Sequence, residues 1–404
     1  MTDPTLLPAA TLARMIARHE LSPVELMEAS LARIEAVQPA LNPFAFVFAE
    51  EAMAAARHAE TRVMRGEPLG PLHGLPVAFK DFTPTAGQVT TRGSAAFRDW
   101  APEADPVIVR RIRAAGAIVV GKTTTPEFAH SAFTRSPLFG HTTNPWDPTR
   151  SAGGSSGGSG VAVTTGCVAL AEGTDMGGSI RIPAALCGCV GLKPSLGRIP
   201  MDILPTVFDD MSHFGPLART VGDAALFLSV AEGPDRADIS SQRVPLPLPP
   251  RLNPDLRGVR VGLSPDQGFM AVDPEVAANL EAVAEALTAQ GAEVVPVALP
   301  WRAEMVEAWL AWWGVVLDAA FGAALDAHRA EMDPELVALM DAGRAMRAVD
   351  FARIDRMRTA MWHDLARIFE THDALLCPTM ALPAPAKDAP AASFDRVEEG
   401  GRLH

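Results

Sequence analysis

Apolar and polar positions in the first 65 residues repeat at the spacing of amphipathic helices. Ser22 is followed by a proline, and Glu25 stands three residues after Ser22. This is the pattern of a capping box at a helix N-terminus. The Asn-Pro pair at residues 42–43 ends this helix, and a second helix is predicted over residues 50–64. The N-terminal region is therefore predicted to be helical.

From residue 72 onwards, short apolar runs of strand length alternate with stretches of helix length. The run at residues 75–80 ends on the charged pair Lys80 and Asp81, which places a reactive group at the edge of the predicted sheet. Further helices are predicted at residues 105–115, 221–231, 273–291, 301–330 and 334–370, and further strands at residues 117–120, 258–264, 292–299 and 373–378. This alternation predicts an α/β layered fold with a mixed, largely parallel central sheet.

Composition and charge exclude several classes of function. A formal net charge of −13 and a pI near 5.3 argue against nucleic acid or an anionic membrane as a partner. The four cysteines form no disulfide framework or zinc-ligand spacing, so buried thiols and no metal are expected. The N-terminus lacks the features of a signal peptide, which predicts a cytoplasmic protein. The longest apolar run, residues 308–317, is well short of the roughly 18 residues that a membrane span needs.

Four of the seven tryptophans lie between residues 301 and 313. They predict either a helix packed on the core or a wall of an apolar acyl or aryl pocket.

Residues 116–123 match the P-loop pattern GxxxxGK[ST]. A P-loop has a flexible loop between its glycines, whereas the four intervening residues here are strand-like, so no nucleotide is expected. Only four lysines occur among the 35 Lys and Arg residues: Lys80, Lys122, Lys193 and Lys387. Because a buried lysine can lose its proton and an arginine cannot, each lysine raises the question of a catalytic base.

Residues 151–194 are the most informative stretch, with 11 glycines and 5 serines in 44 residues. Two glycines before Ser179 allow successive N–H groups to point to one place, which is what an oxyanion hole beside a nucleophile requires. A serine nucleophile needs a base. His73 and His213 are weakly marked candidates for a histidine triad, and Lys80 is the candidate for Ser-Lys chemistry.

Several long segments in order resemble the amidase signature family. They are GPLHGLPVAFKD (70–81), GKTTTPEFA (121–129), TNPWDPTRSAGGSSGGS (143–159), GTDMGGSIRIPAALCGCVGLKPSLGR (173–198), GPLARTVGDAAL (215–226) and ALLCPT (374–379). The resemblance covers most of residues 20–380 and implies a sheet covered by helices on both faces.

Position by position, the resemblance implies that Lys80 is the base, Ser155 a bridging serine preceded by a cis peptide bond, and Ser179 the acyl-forming nucleophile. It implies an oxyanion hole formed by the N–H groups of Met176, Gly177, Gly178 and Ser179. Asp175, Ser156 and Arg181 resemble the supporting polar residues, and Ala129 and Ser131 the backbone that flanks the substrate.

The implied function is hydrolysis of a small acyl or aryl amide by a single domain, residues 1–404, without a cofactor. This domain comprises a helical region (1–65), a catalytic core (70–232) and a βαβ and long-helix region (255–404). Family members continue past the segment that resembles residues 394–404, so C-terminal strands are expected to be missing, with poor solubility as the consequence. The alternatives are the glutaminase component of a glutamyl-tRNA amidotransferase and an impaired relative that only binds substrate. A homodimer is compatible with the sequence.

Overall fold

The structure is a computed structural model, and it describes residues 3–248, 252, 255–390, 398–399 and 402–403. The chain divides into two compact units, Met1–Pro250 with Ala386–Ala391, and Arg251–Pro385 with Ala392–His404. The prediction of a single domain stays a prediction. The prediction that C-terminal strands are missing stays a prediction, because the structure describes only residues 398–399 and 402–403 of the segment 394–404.

After a short 3₁₀ helix, Pro4–Leu6, the first unit continues with four elements. They are α1 (Ala9–Ala17), α2 (Pro23–Leu41), β1 (Phe44–Val47) and α3 (Ala49–Met64). The predicted capping box at α2 is present, because Ser22 accepts hydrogen bonds from the N–H groups of Val24 and Glu25 while the Glu25 carboxylate accepts the Ser22 N–H. The all-helical prediction is wrong at β1, since Asn42 turns the chain through a left-handed conformation and the next residues pair with the sheet edge.

We expect Ser22→Ala to lower the free energy of unfolding by about 1 kcal/mol, because two helical N–H groups lose their acceptor and the Glu60 carboxylate loses the Ser22 hydroxyl as a donor. Urea unfolding of the two proteins measures the difference. Ser229→Ala is the control, because that exposed hydroxyl donates only to a helical carbonyl, that of Leu226. Equal midpoints for Ser22→Ala and the wild type would contradict the capping role.

The remaining α-helices and β-strands of the first unit follow in chain order. They are β2 (Pro76–Lys80), α4 (Val107–Ala114), β3 (Ile118–Thr123), β4 (Arg135–Ser136), β5 (Gly140–His141), α5 (Gly157–Thr164), β6 (Leu170–Asp175), α6 (Arg181–Cys187), β7 (Val190–Gly191), β8 (His213–Ala218) and α7 (Val221–Ala231).

Six of these strands form an open sheet in the order β1-β3-β2-β6-β8-β7. Strands β3, β2 and β6 run parallel at its centre, and β1, β8 and β7 pair antiparallel with their neighbours. Helices α3 and α5 pack on these central strands, and apolar side chains such as Ala78, Val120 and Ala171 are buried between the layers. The predicted mixed α/β class with a largely parallel central sheet is confirmed. The carboxyl ends of β2 and β6 lie at the same edge, where ligands of such sheets bind.

The second unit has a three-stranded parallel sheet in the order β10-β9-β11. Its elements are β9 (Arg260–Leu263), α8 (Pro274–Ala289), β10 (Glu293–Pro296), α9 (Glu304–Leu325), α10 (Pro334–Ala345), α11 (Ala348–Phe369), β11 (Ala374–Leu376), β12 (Glu398–Glu399) and β13 (Arg402–Leu403). The single helix predicted over residues 334–370 is wrong, because Met346 and Arg347 take extended conformations between α10 and α11. Gly343 of α10 contacts the backbone of Gly314 in α9, where a Cβ would lie 2.3 Å from a carbonyl oxygen.

Helix α9 carries three of the four clustered tryptophans, and Trp301 precedes it. Trp312 and Trp313 are buried, which confirms the core interpretation for these two side chains, whereas Trp301 and Trp309 are half-buried. By length and composition alone, Glu304–Ala323 could also cross a membrane, a property that it shares with core helices of water-soluble proteins. The uninterrupted apolar run within this helix is shorter, residues 308–317, because Glu307 and Asp318 bound it.

Candidate active site

The first Gly/Ser cluster forms a tight turn before α5. The peptide bond between Gly154 and Ser155 is cis, as the resemblance implies, and the Ser155 side chain is fully buried. Gly154 lies against the substrate-flanking segment, because a Cβ at this position would be 2.6 Å from the Ser131 carbonyl oxygen. Only glycine therefore fits at residue 154, and Ser131 is brought to the same place as Ser155.

Lys80 lies at the end of β2 and is fully buried. Its Nζ is 2.5 Å from Ser155 Oγ and 2.9 Å from Thr174 Oγ1, and among the described residues no carboxylate oxygen lies within ion-pair distance. Burial lowers the pKa of Lys80, and this effect exceeds the opposing influence of the Glu172 and Asp175 carboxylates. A lysine in this environment can be neutral near physiological pH.

Lys122, the lysine of the P-loop match, is also fully buried but has different partners. It belongs to β3, and its Nζ donates to the Thr83 carbonyl and to the hydroxyls of Thr85 and Thr90. Ile118–Thr123 forms β3, so the residues between the two glycines belong largely to a strand, as the sequence predicts. Burial lowers the pKa of Lys122 to about 8, against the attraction of Asp81 and Glu172. Three oxygen partners suit a charged ammonium group.

Ser179 lies in the turn between β6 and α6 and is half-buried. Its carbonyl oxygen accepts the N–H of Ser156 at 3.1 Å, which holds the two Gly/Ser clusters together. No hydrogen bond joins Ser179 Oγ to Ser155 or to any other described residue. The structure therefore brings Lys80 to Ser155 directly, and Ser179 to the same turn through the backbone.

The predicted oxyanion donors fall into two groups. Gly178 donates its N–H to Asp175 Oδ1 at 2.9 Å, so this donor is already used. The N–H groups of Met176, Gly177 and Ser179 donate to no other residue in the described part of the chain. Three of the four donors that the resemblance implies thus remain available to an oxyanion.

Asp175 fixes the turn that carries these donors. It accepts N–H groups from Gly178, Ile180 and Arg181, and Arg181 also forms a two-point ion pair with it at 2.9 and 2.7 Å. Burial raises the pKa of Asp175, but Arg181 and the backbone donors outweigh burial and hold the pKa below its ordinary value. Asp175 and Arg181 therefore occupy a supporting position. Ser156 adds a long contact, 3.4 Å, to the Thr174 carbonyl.

Ala129 and Ser131 lie in a short irregular segment after β3. Phe128 and Ala129 both have positive φ, 50° and 58°, and Ala129 is half-buried. Ser131 accepts the N–H of Phe133 through its hydroxyl at 3.1 Å. The segment thus presents backbone beside the cis peptide bond.

The two histidine candidates make other contacts. A ring nitrogen of His73 contacts the Ala59 carbonyl at 3.0 Å, and one of His213 contacts the Met211 carbonyl at 2.7 Å. Neither forms a hydrogen bond with Ser155 or Ser179.

Sequence reasoning missed three residues of this site: Thr83, Glu172 and Thr174. Glu172 accepts the backbone N–H of Lys80 and the Thr83 hydroxyl, both at 3.0 Å, and Thr174 contacts Lys80 Nζ. A carboxylate within the apolar strand sequence VALAEG was the signal that could have identified Glu172.

A buried lysine at the end of a sheet strand, in contact with a serine hydroxyl, is an arrangement that can activate a serine nucleophile. The sequence model of the family described as Amidase matches residues 25–398. The chain belongs to this family, the amidase signature enzymes, and is an amide-hydrolysing enzyme.

Individual relatives agree with this assignment. An acylamidase from Rhodococcus erythropolis is 38% identical over 386 residues, which are 94% of this chain and 81% of the relative. The A subunit of the glutamyl-tRNA(Gln) amidotransferase of Thermosynechococcus vestitus is 37% identical over 397 residues, covering 91% of this chain and 82% of the relative. The solved structure of a bacterial aryl acylamidase has a TM-score of 0.91 at 31% identity, over 95% of this chain and 82% of that one.

Proposed function

We propose that the protein hydrolyses small acyl or aryl amides through an acyl-enzyme on Ser179, with Lys80 as the base and Ser155 as the proton relay. The observation that carries the proposal is the 2.5 Å contact between Lys80 Nζ and Ser155 Oγ in a fully buried environment. A lysine that burial deprives of its charge can accept a proton from a serine hydroxyl.

In the first half of the reaction, Ser155 passes its proton to neutral Lys80 and takes the proton of Ser179 Oγ, which bonds to the amide carbonyl carbon. The carbonyl oxygen becomes negative and accepts the N–H groups of Met176, Gly177 and Ser179. The proton then returns through Ser155 to the nitrogen of the leaving amine, and the carbon–nitrogen bond breaks. In the second half, the oxygen of a water molecule bonds to the acyl carbon while Ser155 and Lys80 take its proton. The bond between the acyl carbon and Ser179 Oγ then breaks, the proton returns through Ser155 to Ser179 Oγ, and the acid leaves.

The relatives support the substrate class. One curated relative is an acylamidase, and one similar structure is an aryl acylamidase, both across most of this chain. The net charge of −13 favours neutral or cationic substrates over anionic ones.

A second candidate function is that of the glutaminase component of a glutamyl-tRNA(Gln) amidotransferase, because one such relative is 37% identical over 91% of the chain. In this role the protein would release ammonia from glutamine. Turnover of glutamine compared with that of neutral anilides separates the two functions.

The experiment for the first function is intact-protein mass spectrometry during turnover of 4-nitroacetanilide. We expect an acetyl adduct on Ser179 in acid-quenched samples, identified by peptide mapping, with release of 4-nitroaniline. A fluorophosphonate probe is expected to label the same residue. Turnover without any adduct on Ser179 would contradict the proposal. So would a protein that binds the anilide but neither reacts with the probe nor turns over, and this second result would identify a substrate-binding relative.

The cytoplasmic location, the absence of metal and nucleic-acid partners, and the homodimer stay predictions. Size-exclusion chromatography with light scattering tests the homodimer.

A further inference from the structure

Strands β2 and β6 separate before Lys80, which is the last residue of β2 and still pairs with β3. Parallel pairing between β2 and β6 comprises Val77 with Leu170 and Ala78 with Ala171, and it stops there. Lys80, two residues further on, therefore has no β6 carbonyl opposite its N–H. The Glu172 side chain takes the place of that carbonyl, because Oε2 accepts the Lys80 N–H at 3.0 Å.

The other oxygen of Glu172 secures the chain beyond β2. Oε1 accepts the Thr83 hydroxyl at 3.0 Å, and the carbonyl of Thr83 in turn accepts Lys122 Nζ. One carboxylate thus holds both the last residue of the strand and the turn that follows it. Glu172 itself is fully buried.

The charged groups around Glu172 are two lysines. Lys80 faces it from β2 and Lys122 from β3. The residue that pairs with Glu172 on β8 is Pro216, and α5, which packs on β6, has no ionisable side chain. Asp81 acts on Lys122, and Asp175 acts on Lys80 from the end of β6.

We propose that Glu172 is a positioning residue, which holds the strand end that carries Lys80 through the Lys80 N–H and the Thr83 hydroxyl and thereby tunes the pH at which Lys80 acts as the base. The proposal rests on the proposed role of Lys80 as the base. Burial raises the pKa of Glu172, while the Lys80 N–H, the Lys80 charge, the Thr83 hydroxyl and Lys122 favour its ionised form. When it is ionised, Glu172 stabilises the ammonium form of Lys80 and so opposes the effect of burial on Lys80. The balance between burial and the Glu172 charge sets the pH above which Lys80 is neutral.

The test is the pH dependence of kcat/KM for 4-nitroacetanilide in Glu172→Gln. Glutamine keeps an acceptor for the Lys80 N–H but removes the charge, so the pKa of Lys80 falls. We expect the acidic limb of the profile to move to lower pH by about one unit, the low end of what a nearby opposite charge produces. The rate of labelling by a fluorophosphonate, in which Ser179 Oγ bonds to phosphorus and fluoride leaves, is expected to shift in parallel.

Asp223→Asn is the matched control, because Asp223 is also a buried carboxylate that accepts a backbone N–H, from Ala10, but does not act on Lys80. Its acidic limb is expected at the wild-type pH. If Glu172→Gln does not melt cooperatively, Thr83→Val replaces it. Thr83→Val removes the hydroxyl that donates to Glu172 and so disfavours the ionised form of Glu172. We expect it to move the acidic limb to lower pH, by less than Glu172→Gln does.

An acidic limb at the wild-type position in the folded Glu172→Gln or Thr83→Val variant would overturn the proposal. A lower melting temperature with an unmoved limb would mean that Glu172 is structural only. Failure of the proposed function gives a different result, because Lys80→Arg would then retain activity whatever Glu172→Gln does.

Discussion

Ser179→Ala is expected to lower kcat for amide hydrolysis by at least about 10⁴-fold, because the acyl-enzyme can no longer form. The change removes one half-buried hydroxyl that makes no hydrogen bond with the described residues, so the fold should be unaffected. Initial rates with 4-nitroacetanilide, together with a melting curve, measure both effects.

Ser195→Ala is the control for this experiment, since Ser195 is an exposed serine outside the turn. We expect wild-type rates for it. Wild-type turnover by Ser179→Ala would remove Ser179 as the nucleophile, and an acyl adduct would then have to be sought on another serine.

Lys80→Arg is expected to lower kcat by about 10³-fold or more, because arginine retains the positive charge and cannot act as a base. Rates measured between pH 6 and pH 10 should show no recovery at high pH, since arginine does not lose its proton in this range. Lys387→Arg, half-exposed in the same unit, is the control and should be fully active. Retained activity in Lys80→Arg would exclude Lys80 as the base.

Lys80→Met provides a variant that fills the site without a charge. It should be equally inactive, and it should unfold at a higher urea concentration than the wild type. The pKa of Lys80 is lower in the folded protein than in the unfolded chain. The unfolded wild type therefore binds more protons, and its stability rises with pH up to the unfolded pKa. The advantage of Lys80→Met should accordingly be greater at pH 6 than at pH 9.

Much of the fold could be predicted because local signals and tertiary structure agree. Ser22 and Glu25 form the capping box that their spacing predicts, and α7 has the predicted boundaries. The two wrong predictions concern features that depend on contacts between residues far apart in the sequence. Strand β1 exists because a neighbouring strand offers its edge, and the break between α10 and α11 lies after a close approach of Gly343 to Gly314. Such long-range contacts leave no periodic signal in the sequence.

In the candidate site, too, the features with a local signal could be predicted and those that depend on long-range contacts could not. The position of Lys80 at the end of an apolar run was readable from the sequence, and the resemblance pointed to its proximity to Ser155. The direction of the Gly178 N–H was not readable, because it depends on where the Asp175 carboxylate lies in three dimensions. The contact of Glu172 with Lys80 depends on where two strands separate, which only the assembled sheet shows.

The contacts of Lys80 Nζ have one more consequence. Both of its partners, Ser155 and Thr174, are hydroxyls. A hydroxyl can donate or accept, so rotation of an O–H bond lets either partner accept from the ammonium form or donate to the lone pair of the neutral amine. A carboxylate in the same place would satisfy only the ammonium form. In the proposed mechanism, Lys80 can therefore gain and lose its proton without movement of any of its heavy atoms.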